Sequence, residues 1–254
     1  MTSLEVLALP GVPMIQAGDD LVEHIVSVFK RNSVTPRTGD VLVVAQKIVS
    51  KAEGRIVDLA TIKPSPEALA LAMDVDKDPR LVEVILSESV RVVRAHRRVL
   101  IVEHRLGFIM ANAGIDQSNV GPPDGADRVL LLPENPDQSA ETLRRGLKSA
   151  TGIDIAIVIN DSFGRPWRQG TASVAIGVAG IPALIDLRGR ADLFGRRLEV
   201  SVIGFADEVA AAASLLMGQA DEALPAVLVR GLAWSAPESA AASIVRSPNE
   251  DLFR

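Results

Sequence analysis

Ile153 to Ile159 is an almost unbroken apolar run that opens directly onto Asn160-Asp161-Ser162. A short continuous apolar segment, bounded by Gly152 on one side and polar residues on the other, reads as a β-strand buried on both faces. It delivers its polar residues to its C-terminal end. A chain of 254 residues has ample length for the core that such a strand requires.

The rest of the chain alternates strand and helix signals without a regular βαβ rhythm, which points to an α+β fold with mixed or antiparallel sheets and flanking helices. Leu4 to Leu9 reads as a strand ended by Pro10-Gly11-Val12-Pro13. Asp19 or Asp20 can cap a helix carrying Leu21, Ile25 and Phe29 on one face. Strands are expected at Val41 to Ala45, Arg55 to Asp58, Val90 to Val93, Val99 to Glu103 and Gly107 to Ala111. Helices are expected over Pro66 to Met73 and Pro79 to Ser87. Val120 to Asp137, rich in Pro, Gly and Asp, reads as a linker or exposed loop joining two subdomains. Ser139 is the candidate cap of a helix that ends before Gly152. Ala172 to Val178 and Leu198 to Ile203 are strand-like and flank a Gly/Arg/Asp loop. An Ala-rich helix opens with Asp207 and Glu208 and stops at Gly218, and Pro225 to Val229 is the last strand.

Charge and composition remove several classes of function. Lys and Arg total 27 against 32 Asp and Glu, a net charge of −5, so a general nucleic-acid binder is not expected. The absence of Cys excludes disulfides, thiolate metal sites and Cys nucleophiles, and is compatible with a reducing cytoplasm, the expected location. The N-terminus lacks the pattern of a signal peptide. The longest nearly apolar stretch, Val174 to Ile185, is too short and too rich in Gly and Pro to span a bilayer. No Lys follows Gly and no G-x-G occurs, so the P-loop and the dinucleotide fingerprint are both missing. There is no G-x-S-x-G and no H-E-x-x-H. His24, His96 and His104 are scattered and read as structural, leaving hard metals on oxygen ligands as the metal chemistry available.

Four polar clusters remain. Asn112-Ala113-Gly114-Ile115-Asp116-Gln117-Ser118-Asn119 can hold Mg2+ or Mn2+ and orient phosphate oxygens, although an Asx-type turn explains the same pattern. Asn160-Asp161-Ser162-Phe163-Gly164-Arg165, with Arg168 beyond, has the elements of a metal-phosphate site; a helix cap with a solvated basic loop is the alternative. Met217-Gly218-Gln219-Ala220-Asp221-Glu222 lies at a helix end and reads alone as an exit loop. Gln46-Lys47 with Ser50-Lys51 places two Lys four residues apart beside a strand, either a phosphate grip or a surface charge pair. The 21 Arg against 6 Lys fit a preference for Arg codons, but that preference does not explain why six Arg crowd between Arg165 and Arg197 among Gly residues.

Together these segments resemble the coenzyme F420:L-glutamate ligase family. The matching stretches are Gly18-Asp19-Asp20, Val49 to Arg55, Asn112 to Asp116, Ser118-Asn119-Val120, Asp161 to Arg168, Asp192 to Arg196, Ala206-Asp207-Glu208 and Val229-Arg230-Gly231. They run in family order over nearly the whole chain. The resemblance implies two interlocked subdomains and an intertwined homodimer. It also implies GTP as co-substrate, Mg2+ or Mn2+, and K+ as an additional candidate ion. By the same resemblance, Pro10, Gly11, Val12, Pro13, Gln46, Lys47, Lys51, Asn119 and the stretch Met217, Gly218, Gln219, Ala220, Asp221, Glu222, Ala223, Leu224 contact the nucleotide. Asp116, Asp161, Ser162 and Gln219 hold the divalent ions. Some members carry Glu at the position of Gln219, where a neutral amide weakens one metal contact.

The implied reaction passes the γ-phosphoryl group of GTP to a carboxylate of a deazaflavin precursor. The amine of L-glutamate then attacks the resulting acyl phosphate. It asks for positioning and charge neutralisation and no protein nucleophile. Arg165 and Arg168 are, by residue type, the candidates for neutralising the transferring group or the acidic substrate. An amide ligase with another acidic acceptor and a non-catalytic GTP-binding protein are the alternatives. Retention of Asp116, Asp161 and the Arg loop disfavours the latter. Neither a membrane nor nucleic acid is an expected partner.

Overall fold

A computed structural model describes residues 3–121 and 127–251. The chain begins with β1 (Glu5–Ala8), α1 (Leu21–Arg31), β2 (Val41–Ala45) and α2 (Gln46–Ala52). There follow β3 (Ile56–Asp58), α3 (Pro66–Val75), α4 (Pro79–Ser87), β4 (Ser89–His96), β5 (Val99–His104), β6 (Ile109–Ala111) and β7 (Arg128–Leu130). The last part comprises α5 (Pro136–Thr151), β8 (Ala156–Arg165), β9 (Arg168–Ala179), β10 (Ile185–Asp186), β11 (Val202–Ile203), α6 (Phe205–Met217) and β12 (Ala226–Arg230).

The central sheet has the order β1-β12-β2-β8-β9. β2 and β8 pair in parallel and the other neighbours antiparallel, giving the mixed α+β architecture. Period-two alternation divides its strands between two cores. Leu42, Val44, Ile157, Ile159 and Leu228 face α1 and α5. Val41, Val43, Ala156, Val158 and Val227 face α6. Both faces are therefore covered, as the unbroken apolar run requires. In α1 the Asp20 carboxylate accepts from the amides of Val22 (2.8 Å) and Glu23 (3.2 Å). Such a cap contributes about 1 kcal/mol, whereas burying Ile25, Val28 and Phe29 contributes about 1.5–3 kcal/mol each. The cap sets where the helix starts, and burial holds it. Where α5 crosses α1, a Cβ on Gly146 would run into Val22, so only glycine allows that approach.

Between α2 and α5 a third core forms from Leu59, Val75, Leu81, Val82, Ile85, Leu100, Val102 and Val129. It joins α3 and α4 to the three-stranded sheet β4-β5-β6 and the pair β3-β7. His104 is fully buried here, its Nδ1 accepting from the Leu106 amide at 3.0 Å and its Nε2 lying 3.5 Å from Glu88, a structural setting. Among the described residues no helix is long and apolar enough to cross a membrane.

Several expected elements are corrected. The apolar strand starts at Ala156 and runs on through Asn160-Asp161-Ser162 to Arg165, because β9 pairs with it along that whole length. The helix-cap alternative for Asp161 is thereby removed. α5 is capped by Asn135, not Ser139: Pro136 keeps Asn135 out of the helical region, and Asn135 Oδ1 accepts from the Gln138 amide at 3.1 Å. Ser139 instead lies in the first turn and donates to Glu53. Within Val120 to Asp137, residues 122–126 lie outside the described residues. The segment is otherwise no plain loop, since β7 pairs with β3 and Leu130, Leu131 and Leu132 are buried. The Leu198 to Ile203 strand contracts to Val202–Ile203, paired with Ile185–Asp186; nearer Leu198 the chain is held by bonds to Leu187, Gly189 and Arg190 that form no regular ladder.

Candidate functional site

Strand directions gather the site. β1, β2 and β8 run one way and β12 runs against β1 and β2. The ends of the first three and the beginning of β12 therefore share one edge of the sheet. Leu9 N donates to Ala226 O (3.0 Å) and Ala45 N to Pro225 O (2.8 Å), while Ala45 is in register with Asn160. Pro10–Pro13, the start of α2, Asp161 with Ser162, and the stretch Met217–Leu224 meet at this edge. Arg31 Nη1 donates to Gly11 O at 2.6 Å and Asn32 Nδ2 to Pro10 O at 2.9 Å, fixing the first of these loops.

Asp116 arrives from the third core. It follows a tight turn in which Asn112, Ala113 and Gly114 have φ of +53°, +54° and +68°. Two consecutive non-glycine residues in the left-handed region mark a backbone held by its surroundings. The Asp116 backbone then bonds in both directions with Leu130 (2.9 and 2.8 Å). Its side chain meets α2: Gln46 Nε2 donates to Oδ2 at 2.7 Å, and Lys47 Nζ lies 3.2 Å from Oδ1. Lys47 also reaches the hydroxyl (3.1 Å) and carbonyl (3.2 Å) of Ser118. Lys51, almost fully buried, donates to Asn119 O at 2.6 Å, and Asn119 Nδ2 donates to Ala220 O at 3.0 Å. The short helix α2 was legible only as two lysines beside a strand. Its cation ladder connects Asp116 and Asn119 to the loop before β12.

Asp161 belongs to the same electrostatic environment. Burial, and after it the Asp116 charge, push its carboxyl up to about 7, against the smaller pull of the Ser162 amide and Lys47. Burial likewise raises Asp116, opposed by Lys47 and Gln46. Burial and the neighbouring Lys47 lower the Lys51 ammonium. Two carboxylates share this buried environment and Asp161 holds its proton up to about 7; a divalent ion would take the place of that proton. Successive strand residues point to opposite faces, and accordingly Asp161 is coupled to Asp116 while Ser162 Oγ donates to Gln219 Oε1 at 2.8 Å. The four candidate metal ligands thus form two pairs. Among the described residues no group of three or more His, Asp or Glu is arranged around a metal position. The oxygen donors present suit a hard ion that takes the rest of its shell from phosphates and water.

Arg165 and Arg168 are not brought to the carboxylates. They are register partners at the exposed tip of the β8–β9 hairpin, where Arg165 Nη2 donates to Gln169 O at 3.4 Å. Arg165 lies four positions along the strand from Asp161, roughly 13 Å of extended chain. Ser50 stands in the Gln46–Lys51 cluster with no role assigned to it; its i+4 spacing from Gln46 was the available signal, once that segment is seen as a helix. Some matched segments have structural work instead: Asp20 caps α1, Asp207 Oδ1 accepts from the Ala175 amide (2.9 Å), and Arg230 grips Asp40 through two bonds (2.8 and 2.7 Å).

A profile of the F420-0:gamma-glutamyl ligase family matches residues 11–231. The chain is 46% identical over 253 residues to the coenzyme F420:L-glutamate ligase of Methanothermobacter thermautotrophicus, covering 99% of each chain. It is 45% identical over 262 residues to that of Methanopyrus kandleri, covering 100% of each. To that of Archaeoglobus fulgidus it is 43% identical over 251 residues, 99% of this chain and 96% of the relative.

Proposed function

Because the chain belongs to the F420-0:gamma-glutamyl ligase family, we propose that it is a ligase that forms a γ-linked amide between L-glutamate and a deazaflavin coenzyme precursor, using GTP. The observation that carries this reading is that Asp161 feels the charges of Asp116 and Lys47, themselves paired at 3.2 Å, at the sheet edge where Pro10–Pro13, α2 and Met217–Leu224 converge.

A carboxylate is a poor acylating group, so amide formation begins with its activation. An acceptor carboxylate oxygen forms a bond to the γ-phosphorus of GTP and GDP leaves. The amine of L-glutamate, having lost a proton, then attacks the acyl carbon, and inorganic phosphate leaves with the oxygen. Mg2+ or Mn2+, when bound, supplies neutralisation of phosphate charge. Asp116 and Asp161 would hold one ion, and Ser162 with Gln219 would offer neutral oxygens to another. Lys47 and Lys51 bring positive charge to the same edge for the phosphates. Pro10–Pro13, Asn119 and Met217–Leu224 line the nucleotide, and much of the rate comes from holding the two substrates in one orientation. Arg165 and Arg168, on the hairpin tip, anchor acidic groups of a substrate that extends away from the reacting carboxylate.

The same reading includes K+ as an additional ion, a cytoplasmic location and an intertwined homodimer of interlocked subdomains. The almost fully exposed Trp167, Leu193 and Phe194 offer apolar surface that a second copy would cover. The test is incubation of the protein with glutamate-free precursor, L-glutamate, Mn2+ and either GTP or ATP, followed by mass spectrometry. Glutamate-sized increments that require GTP are expected. A folded protein that yields none with either nucleotide overturns the ligase reading, and increments with ATP alone overturn the nucleotide assignment.

A further inference from the structure

Ser50 is fully buried one helical turn after Gln46 and has no part in the chemistry above. Its hydroxyl donates to Gln46 Oε1 at 2.9 Å, and the other end of the same amide, Nε2, donates to Asp116 Oδ2 at 2.7 Å. We propose that Ser50 is a positioning residue for the Asp116 carboxylate, acting through the orientation of the Gln46 amide, and so sets how tightly the site holds a divalent cation. The cation half of this proposal rests on the metal reading of Asp116 given above.

The reason lies in the polarity of the amide. One end only accepts hydrogen bonds and the other only donates, and an ionised carboxylate only accepts. With Oε1 engaged by Ser50, Nε2 faces Asp116. After a flip, Oε1 would confront a carboxylate oxygen with no proton between them. Gln46 is 1% exposed, so bulk water does not replace either bond. Spacing supports the arrangement: residues i and i+4 of a helix lie on one face, and α2 presents Gln46 and Ser50 together towards Asp116. The two carboxylate oxygens have different partners, Lys47 at Oδ1 and Gln46 at Oδ2, while backbone pairing with Leu130 fixes the Cα. Without the Ser50 hydroxyl the amide loses its preferred orientation and the carboxylate loses its fixed plane. Groups that orient a ligating carboxylate are worth about 10–100-fold in metal affinity.

The experiment measures Mn2+ binding to the metal-free full-length protein, without nucleotide, by the paramagnetic resonance signal of free Mn2+. Ser50→Ala is expected to weaken binding by about 10–100-fold, and Ser50→Thr, which keeps the hydroxyl, to restore it. Ser50→Cys keeps the volume but donates poorly, and is expected to behave like Ala. In a Gln46→Ala background, Ser50→Ala is expected to cost nothing further. Unchanged Mn2+ affinity in Ser50→Ala, or an equal loss with and without Gln46, overturns the proposal and makes Ser50 a packing residue. A second readout needs no metal: the side-chain amide resonances of Gln46 in 15N-labelled protein should move in Ser50→Ala and Ser50→Cys and return in Ser50→Thr. If the wild type binds no Mn2+ either alone or with GTP added, the metal reading falls and the cation half of the proposal with it. The amide resonances then decide the positioning role alone, and their constancy in Ser50→Ala overturns it.

Discussion

Asp161→Asn should make the metal-free protein more stable at pH 8 than the wild type, by an amount that shrinks as the pH is lowered. The Asp161 carboxyl is raised from 3.8 to about 7, first by burial and then by the Asp116 charge. Below 3.8 it is protonated in both folded and unfolded states and has no effect. Between 3.8 and 7 the unfolded chain ionises and the folded one does not, so stability falls as pH rises, and above 7 the full penalty is present. The interval is about three pH units at about 1.4 kcal/mol each, or ~4 kcal/mol in all. About two of those units lie between pH 5 and 7, so the stability gap between variant and wild type should widen by ~3 kcal/mol from pH 5 to pH 8. Asn keeps the shape and an acceptor for the Ser162 amide, now 2.8 Å from Oδ1, while removing the charge. The assay is urea unfolding of both proteins with a chelator at pH 5 and pH 8, with the variant also tested for turnover, which should be lost. Glu88, depressed to about 2, is ionised in both states throughout this range and leaves the comparison undisturbed. A gap that is constant between the two pH values, or that narrows as pH rises, refutes the account of Asp161 as a carboxylate held under electrostatic strain for a cation.

The same carboxylate makes cation binding release a proton, so Mn2+ affinity should fall about tenfold per pH unit below pH 7; calorimetry in two buffers of different ionisation enthalpy reads the proton directly. Lys47→Met removes the ammonium 3.2 Å from Asp116 and should push that carboxyl further up and lower kcat/KM for GTP by about 100-fold, with the urea midpoint little changed. Glu88→Gln breaks the contacts to Arg55 (2.9 Å) and Arg105 (3.0 Å) and should cost about 2 kcal/mol at pH 7, read by thermal unfolding. The difference from wild type should vanish as the pH falls from 4.5 through about 2, where the wild-type carboxylate is itself protonated. Gly146→Val puts a branched side chain against Val22 and should destabilise by about 1–3 kcal/mol. A neutral result would mean that α5 can move away from α1.

Much of the framework was legible along the chain. The apolar continuity of Ile153 to Ile159 required a strand covered on both sides, and the two cores of the central sheet are that cover. A cap at Asp19 or Asp20, of which Asp20 serves, and Gly218 as the stop of the Ala-rich helix were both readable, since each signal sits within a few residues of the element it ends. Of the polar stretches that the resemblance joins, Pro10–Pro13, the start of α2, Asp161 with Ser162 and Met217–Leu224 do lie at one edge of the central sheet. The errors have local causes as well. Asn135-Pro136 outweighs Ser139 as a cap, and residues 128–130, embedded in a loop-like composition, form a strand only because β3 lies beside them.

Which of those polar residues touch was decided by the tertiary structure. Asp116 rides on a unit with its own core, and Asp161 lies far along the central sheet. Their coupling depends on strand order and on the left-handed turn at Asn112–Gly114, neither of which has a local sequence period. Burial, which raises both carboxyls, belongs to the assembled surroundings and to no residue type. Nor does the spelling of β8 show that Asp161 feels the Asp116 charge while Ser162 bonds Gln219, or that Arg165 and Arg168 are carried to an exposed tip. Sequence determines what the backbone does over a turn or a strand, because those interactions are between near neighbours. Charge coupling and hydrogen-bond partnership across the fold arise between residues that only packing brings together.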